Sequence, residues 1–160
     1  MLKAAILEVL VSHNLYNGED REDAISGFLE SHLTLLNNHK GELIDYAERI
    51  SDSELKNNIA EVCSNSLIKE FYPRVREDFL HSLVENMSVD LRIRLLETYM
   101  VNPYGYRAGW PDLIVLNNGE ISFVEVRTTD RFHDSQLRFA TEVAAPLGLK
   151  CQVIQVIPEQ

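Results

Sequence analysis

Three residues in the last third of the sequence, Asp112, Glu125 and Arg127, have the types and spacing to hold a cation against a phosphate. Asn118-Gly119 lies between the two carboxylates, and Asn-Gly is the strongest short signal for a two-residue hairpin turn. With that turn as the loop, Asn117 pairs with Glu120, and counting outward sets Asp112 opposite Glu125. Opposed residues share a face of the sheet, with Cβ atoms about 4.5–5.5 Å apart. Arg127, two residues past Glu125, projects from the same face. Two facing carboxylates repel, so the arrangement calls for a cation between them. Oxygen ligands without Cys or His suit Mg²⁺ or Mn²⁺. The Val126 backbone carbonyl is a further oxygen within reach, and Arg127 would hold a phosphate and offset developing charge. These parts suit metal-assisted hydrolysis of a phosphodiester. The plain alternative is a solvent-facing pair, with Asp112 at a strand start and Glu125 on an exposed face.

The elements that must position these residues change character near residue 101. Residues 1–100 read as a helical extension packed on the core. Met1–Asn14 reads as an amphipathic helix, and Ala24, Ile25, Phe28, Leu29, His32 and Leu36 follow helical spacing. Ser51 and Glu54 form a capping-box pattern ahead of Leu55, Ile59 and Val62. Pro73 begins or interrupts a segment with Val75, Phe79, Leu80 and Leu83 on one side. Leu91, Leu95 and Leu96 mark a helix that ends before the turn Asn102-Pro103-Tyr104-Gly105. Residues 101–160 then read as a strand at 112–116, a strand at 121–127, a helix from about Asp134 to Leu147, and a last strand at 151–157. Leu137, Ala140, Ala144 and Leu147 are the expected inner side of that helix, and Gly148 its C-cap. Strand, hairpin, strand, helix, strand implies a mixed α/β sheet.

Composition bounds the reading. The formal charge is −10, which argues against a protein that coats nucleic acid by bulk electrostatics. Residues 1–100 carry 10 Lys and Arg against 18 Asp and Glu, and residues 101–160 carry 5 against 7. The acidity therefore sits mainly in the helical part, and DNA would have to meet a local patch. Cys63 and Cys151 read as reduced, buried thiols with no zinc spacing. His13, His32, His39 and His81 show no ligand spacing, and His133 reads as a cap or surface residue. No apolar run is long enough to span a membrane, and the first residues are too short and acidic for a secretory signal. A cytoplasmic protein is expected.

The motifs in order are Gly109-Trp110-Pro111-Asp112-Leu113, Phe123-Val124-Glu125-Val126-Arg127 and Asp130-Arg131-Phe132-His133-Asp134-Ser135-Gln136. Together they resemble the VRR-NUC family of PD-(D/E)xK nucleases, and within it the nuclease domain of Fanconi-associated nucleases and their bacterial relatives. The resemblance covers roughly residues 107–157. It implies a restriction-endonuclease-like core in which Asp112 and Glu125 bind Mg²⁺ or Mn²⁺ and Gln136 sits near the site at a helix start. The family usually has Lys where this chain has Arg127. Arginine can grip a phosphate but stays protonated and cannot act as a general base. Activity survives if the Lys works by electrostatics and falls if a neutral amine is needed. The family also uses an upstream acid as a metal ligand. Glu19 resembles that position, with Glu77 and Glu85 as weaker candidates.

The resulting expectation is a metal-dependent DNA endonuclease, with flap or branched DNA as a substrate suggested by the resemblance. Asp112, Glu125, Arg127 and Gln136 form its centre, and Arg107, Arg131 and Arg138 contact DNA phosphates. Tyr104 and Tyr106 are read first as packing residues and second as base-stacking ones. Trp110 is expected to pack the turn beneath Asp112. Two alternatives differ in kind. One is a nuclease-derived interaction module with a weak or dead centre, which the Arg and the negative charge favour. The other concerns role: an interbacterial DNase toxin, delivered out of the producing cell and paired with an immunity protein on the acidic helical part.

Overall fold

The structure is a computed structural model that describes residues 1–13, 20–128 and 131–157. It is a mixed α/β protein of two compact units, Met1–Pro103 and Tyr104–Gln160. Among the described residues, no helix is long and apolar enough to cross a membrane.

The first unit is helical: α1 (Leu2–Ala5), α2 (Leu7–Ser12), α3 (Arg21–Ser26), α4 (Leu29–Leu35), α5 (Lys40–Arg49), α6 (Asp52–Ser64), α7 (Ser66–Phe71), α8 (Glu77–Asn86) and α9 (Val89–Val101). The start of the chain is a broken pair of helices rather than one amphipathic one. Ala4, Ala5, Ile6, Leu7, Val9 and Leu10 are all buried, more than one stripe of a single surface helix would hide. Around residue 27 the expected single helix is likewise two. Gly27 and Phe28 adopt extended backbone between α3 and α4, and Phe28 is exposed while Ala24, Ile25, His32 and Leu36 are buried. Ser51 does cap α6, accepting from the Glu54 amide at 3.2 Å. The Glu54 carboxylate turns to the Tyr46 hydroxyl at 2.8 Å. Arg21 forks between Glu8 and Glu61 and ties α2, α3 and α6 together. Cys63 is half-buried against the core cluster of Ala5, Leu55 and Ile59, and Cys151 is exposed on the last strand; both are free thiols, and neither is fully buried as expected.

The turn expected at residues 102–105 is a single helical turn, α10 (Pro103–Tyr106), opened by a proline whose fixed φ suits a first helical position. The sheet that follows has strands β1 (Leu113–Asn117), β2 (Glu120–Arg127) and β3 (Lys150–Gln155). Its order is β1-β2-β3, with β1 antiparallel and β3 parallel to the central β2. Asn117 pairs with Glu120 and Leu113 with Val124, the register read from Asn118-Gly119. Both turn residues have positive φ, 50° and 80°, as a type I′ turn requires. Phe123 and Cys151 are partners, so Ile114, Phe123 and Cys151 share one face. The opposite face carries Leu113, Val115, Val126 and Ile154, all exposed.

The crossover from β2 to β3 is α11 (Asp134–Arg138), a π-helical stretch Phe139–Ala144, and α12 (Ala145–Leu147). Its inner side is Phe139, Val143 and Ala144: of the expected stripe Ala144 is buried and Leu147 half-buried, whereas Leu137 and Ala140 are exposed. The wider π turn re-aims the side chains that follow it. Gly148 closes the helix in the left-handed region at φ 65°. Lys150 is the only lysine after Lys69. It donates to Glu120 at 2.6 Å, at the turn end of the hairpin and far from Asp112.

Gly109 fixes this unit. Its φ is +89°, and a methyl built on it would overlap the Ser135 carbonyl and come within 2.9 Å of the Gln136 amide nitrogen. Gly148 also has positive φ, but a methyl there meets open space. Gly109→Ala should therefore add overpacking of about 1–3 kcal/mol to backbone strain, while Gly148→Ala should show only strain of about 1–2 kcal/mol. Urea unfolding of the two variants checks the difference, and equal losses would contradict the close approach.

Candidate active site

Trp110 holds the turn that ends at Asp112. Its ring nitrogen donates to the Tyr106 carbonyl at 2.7 Å. Its ring packs on Phe139 at 4.8 Å and Phe123 at 6.3 Å, which themselves meet at 5.6 Å. The expected packing role of Trp110 is thus what the structure shows. This aromatic triangle joins the turn, β2 and the crossover helix on one side of the sheet.

Asp112 precedes β1 by one residue, and extending the register sets it opposite Glu125. Its Oδ2 accepts from the Val126 amide at 2.9 Å. The Arg127 carbonyl faces the other way and accepts from Val156 on the β3 side at 2.6 Å. Successive strand residues alternate their edges, and the N–H and C=O of one residue lean together. The Val126 carbonyl therefore faces the Asp112 side, beyond the start of β1.

Glu125 is not on the exposed face that the plain alternative required; it is only 8% exposed. A buried carboxylate needs donors, and the helix start supplies one. The Gln136 side-chain amide donates to Glu125 Oε1. Its Oε1 accepts from the His133 backbone amide at 2.9 Å and lies 3.4 Å from Arg127 Nη2. Only this orientation of the amide satisfies the network, because its NH₂ must meet the carboxylate and its oxygen the two donors. Gln136 thus caps α11 at its N-cap residue His133 and fixes Glu125 at the same time.

Arg127 lies beside them with its side chain 10% exposed, and its Nε is 4.0 Å from Glu125 Oε1. Nη2 donates to the Arg131 carbonyl, and the guanidinium stacks on Phe132 at 4.2 Å. Nη1 is buried and has no acceptor among the described residues. One polar group in the site is therefore left open, which costs free energy unless a ligand fills it.

The carboxylates fit a hard divalent cation. Among the described residues, Asp112 Oδ1 and Glu125 Oε2 take no hydrogen bond, and the Val126 carbonyl lies on the same side. The Val126 amide, Gln136 and Arg127 already compensate the two acids, so no cation is needed merely to keep them side by side, contrary to the expectation from the sequence. Glu19 lies outside the described residues, as does Asp130. Glu77 and Glu85 belong to the helical unit, where Glu85 pairs with Lys56 at 2.6 Å and Glu77 faces His81 at 3.9 Å.

The expected DNA-contacting arginines differ in their surroundings. Arg138 donates to the Gly105 carbonyl at 3.2 Å and so braces α10. Arg107 lies over the exposed Tyr104 ring at 5.6 Å. Arg131 lends its backbone carbonyl to Arg127 and is itself exposed. Tyr106 is buried and donates to Glu142 at 2.9 Å, which gives it the packing role; Tyr104 does not share it. The Arg127–Phe132 stack was not read from the sequence, although Phe132 stands within the third motif.

Set against known proteins, the chain matches no family model and no curated protein.

Gln136→Glu tests the network directly. It places a second carboxylate against Glu125, which raises the folded-state pKa of the introduced acid above the unfolded value of about 4.3. Stability should then be close to normal below about pH 4 and fall as pH rises through the raised value. The expected loss at pH 7 is about 1–3 kcal/mol, read by urea unfolding as a function of pH. A pH profile parallel to the wild type would mean that Gln136 does not face Glu125.

Proposed function

We propose that the second unit is a restriction-endonuclease-like core that hydrolyses DNA phosphodiester bonds with Mg²⁺ or Mn²⁺. One observation carries the reading: among the described residues, Arg127 Nη1 is a buried donor without a partner, beside two carboxylates that keep free oxygens. A phosphate oxygen is the acceptor that fits, since arginine binds phosphates with fixed geometry. Asp112, Glu125 and the Val126 carbonyl would hold the cation, which when bound supplies Lewis acidity toward the phosphate and lowers the pKa of a water.

The protein's own residues do the positioning. Gln136 keeps Glu125 in one rotamer. Phe132 and the Arg131 carbonyl keep the Arg127 guanidinium flat and oriented before substrate arrives, so little is reorganised as charge develops on the phosphate. Arg127 cannot take a proton, so its part is electrostatic. Exposed Arg107 and Arg131 suit backbone contacts that set register without reading sequence. Flap or branched DNA is the substrate proposed from the resemblance.

A second reading has its own support. Arg127 is already engaged with Glu125, Gln136 and Arg131, an arrangement that could be a stable scaffold without turnover. That would make the unit a nuclease-derived interaction module.

Cleavage of plasmid, 5′-flap, junction and single-stranded DNA with Mg²⁺, Mn²⁺ or EDTA separates the two. The wild type should cut only with metal. Asp112→Asn keeps an acceptor for the Val126 amide but removes the charge, and should lower the rate by about 100-fold or more, the scale on which one charge-stabilising group acts. Cutting by Arg127→Lys alone would mean a sound scaffold with a disabled centre. No cutting by either protein would leave the interaction module.

A further inference from the structure

The helical unit brings together three side chains that lie far apart in sequence. His13 is the C-cap of α2, His39 is the N-cap of α5, and Glu42 stands in the first turn of α5. His13 Nε2 is 2.9 Å and His39 Nδ1 3.3 Å from the same oxygen, Glu42 Oε2. One ligand atom from each residue lies within 4.8 Å of the other two. The two nitrogens thus converge on one carboxylate oxygen, and the rings are tilted by 46° with centroids 4.3 Å apart. Among the described residues, this is the only group of three or more His, Cys, Asp and Glu side chains so placed.

We propose that His13, His39 and Glu42 form a binding site for a zinc-like divalent ion, separate from the carboxylates of the hairpin. A tetrahedral ion with bonds of about 2.0–2.1 Å sets its ligand atoms about 3.3–3.4 Å apart; the two nitrogen–oxygen spacings are 2.9 and 3.3 Å, and the third pair lies within 4.8 Å. Two imidazoles and one carboxylate are a donor set for Zn²⁺, Co²⁺, Ni²⁺ or Cu²⁺, whereas Mg²⁺ takes oxygen ligands. The fourth position falls to water. All three side chains are partly exposed, at 27%, 44% and 48%, so an ion can enter without unfolding the unit. An imidazole that donates to the carboxylate carries its proton on the facing nitrogen; with an ion in place the facing nitrogen becomes the ligand and the proton sits on the other ring nitrogen. The ion would staple the end of α2 to the start of α5 and so stabilise the helical unit, a structural role that asks nothing of the Asp112 site.

The test is titration of the metal-stripped full chain with Co²⁺ followed by Zn²⁺ competition, with thermal unfolding alongside. One equivalent of Co²⁺ should bind in the micromolar range or tighter with the intense visible bands of a tetrahedral site, and Zn²⁺ should displace it and raise the Tm. His13→Ala and His39→Ala should each weaken binding by about tenfold or more and abolish the Tm shift. Glu42→Gln, which keeps the shape of the side chain, should do the same if either histidine variant folds poorly. Asp112→Asn should leave the spectrum unchanged. Absence of a saturable Co²⁺ spectrum below millimolar metal, binding undiminished in the histidine and Glu42 variants, or loss of the spectrum in Asp112→Asn would each overturn the proposal.

Discussion

The candidate site depends on the backbone of Gly109 lying against the backbone of Ser135 and Gln136. No side chain can stand at position 109 without pushing the helix start away. That contact sets the turn carrying Asp112 beside the residue that grips Glu125. The aromatic triangle of Trp110, Phe123 and Phe139 then fills the space behind it. Packing thus places a helix N-terminus, a strand end and a turn within reach of one another, and the polar network is what that placement makes possible.

Electrostatics follows from the burial of Glu125. A carboxylate that is 8% exposed must be hydrogen-bonded or paired to remain charged. Gln136 supplies the hydrogen bond and Arg127 the opposite charge. Each partner is itself held: Gln136 by the His133 amide, Arg127 by Phe132 and the Arg131 carbonyl. A network in which most members are satisfied is rigid, and Arg127 Nη1, a buried donor without a partner among the described residues, stands out in it. Rigidity serves catalysis when the open positions match the transition state, and serves a binding scaffold equally well when they do not. The distinction therefore rests on chemistry at the open positions rather than on the fold.

Much of the second unit was legible because its signals are local. Asn118-Gly119 sets a two-residue turn, the turn sets the register, and the register sets Asp112 opposite Glu125. Gln136 was readable as a helix-start residue near the site, although its double duty as cap and carboxylate partner needed coordinates. The inner face of the crossover helix was read only in part: Ala144 is buried as expected, but Phe139 and Val143 stand where Leu137 and Ala140 were placed, and helical spacing carries no mark of the π stretch that begins at Phe139. Helical spacing over residues 24–36 carried no sign of the break at Gly27 and Phe28. The meeting of His13, His39 and Glu42 was invisible for a different reason. Those residues are joined by the packing of α2 near α5, which no local spacing encodes.

The central claim is that Asp112 and Glu125 share one cation at the open end of the hairpin. The most direct measurement is the paramagnetic broadening of backbone amide NMR signals as Mn²⁺ is added. Broadening should saturate and centre on Val126, whose amide meets Asp112, with Leu113, Arg127 and Gln136 next, and Mg²⁺ should reverse it. Broadening absent from Val126, or confined to the neighbourhood of His39 and Glu42, would contradict the account.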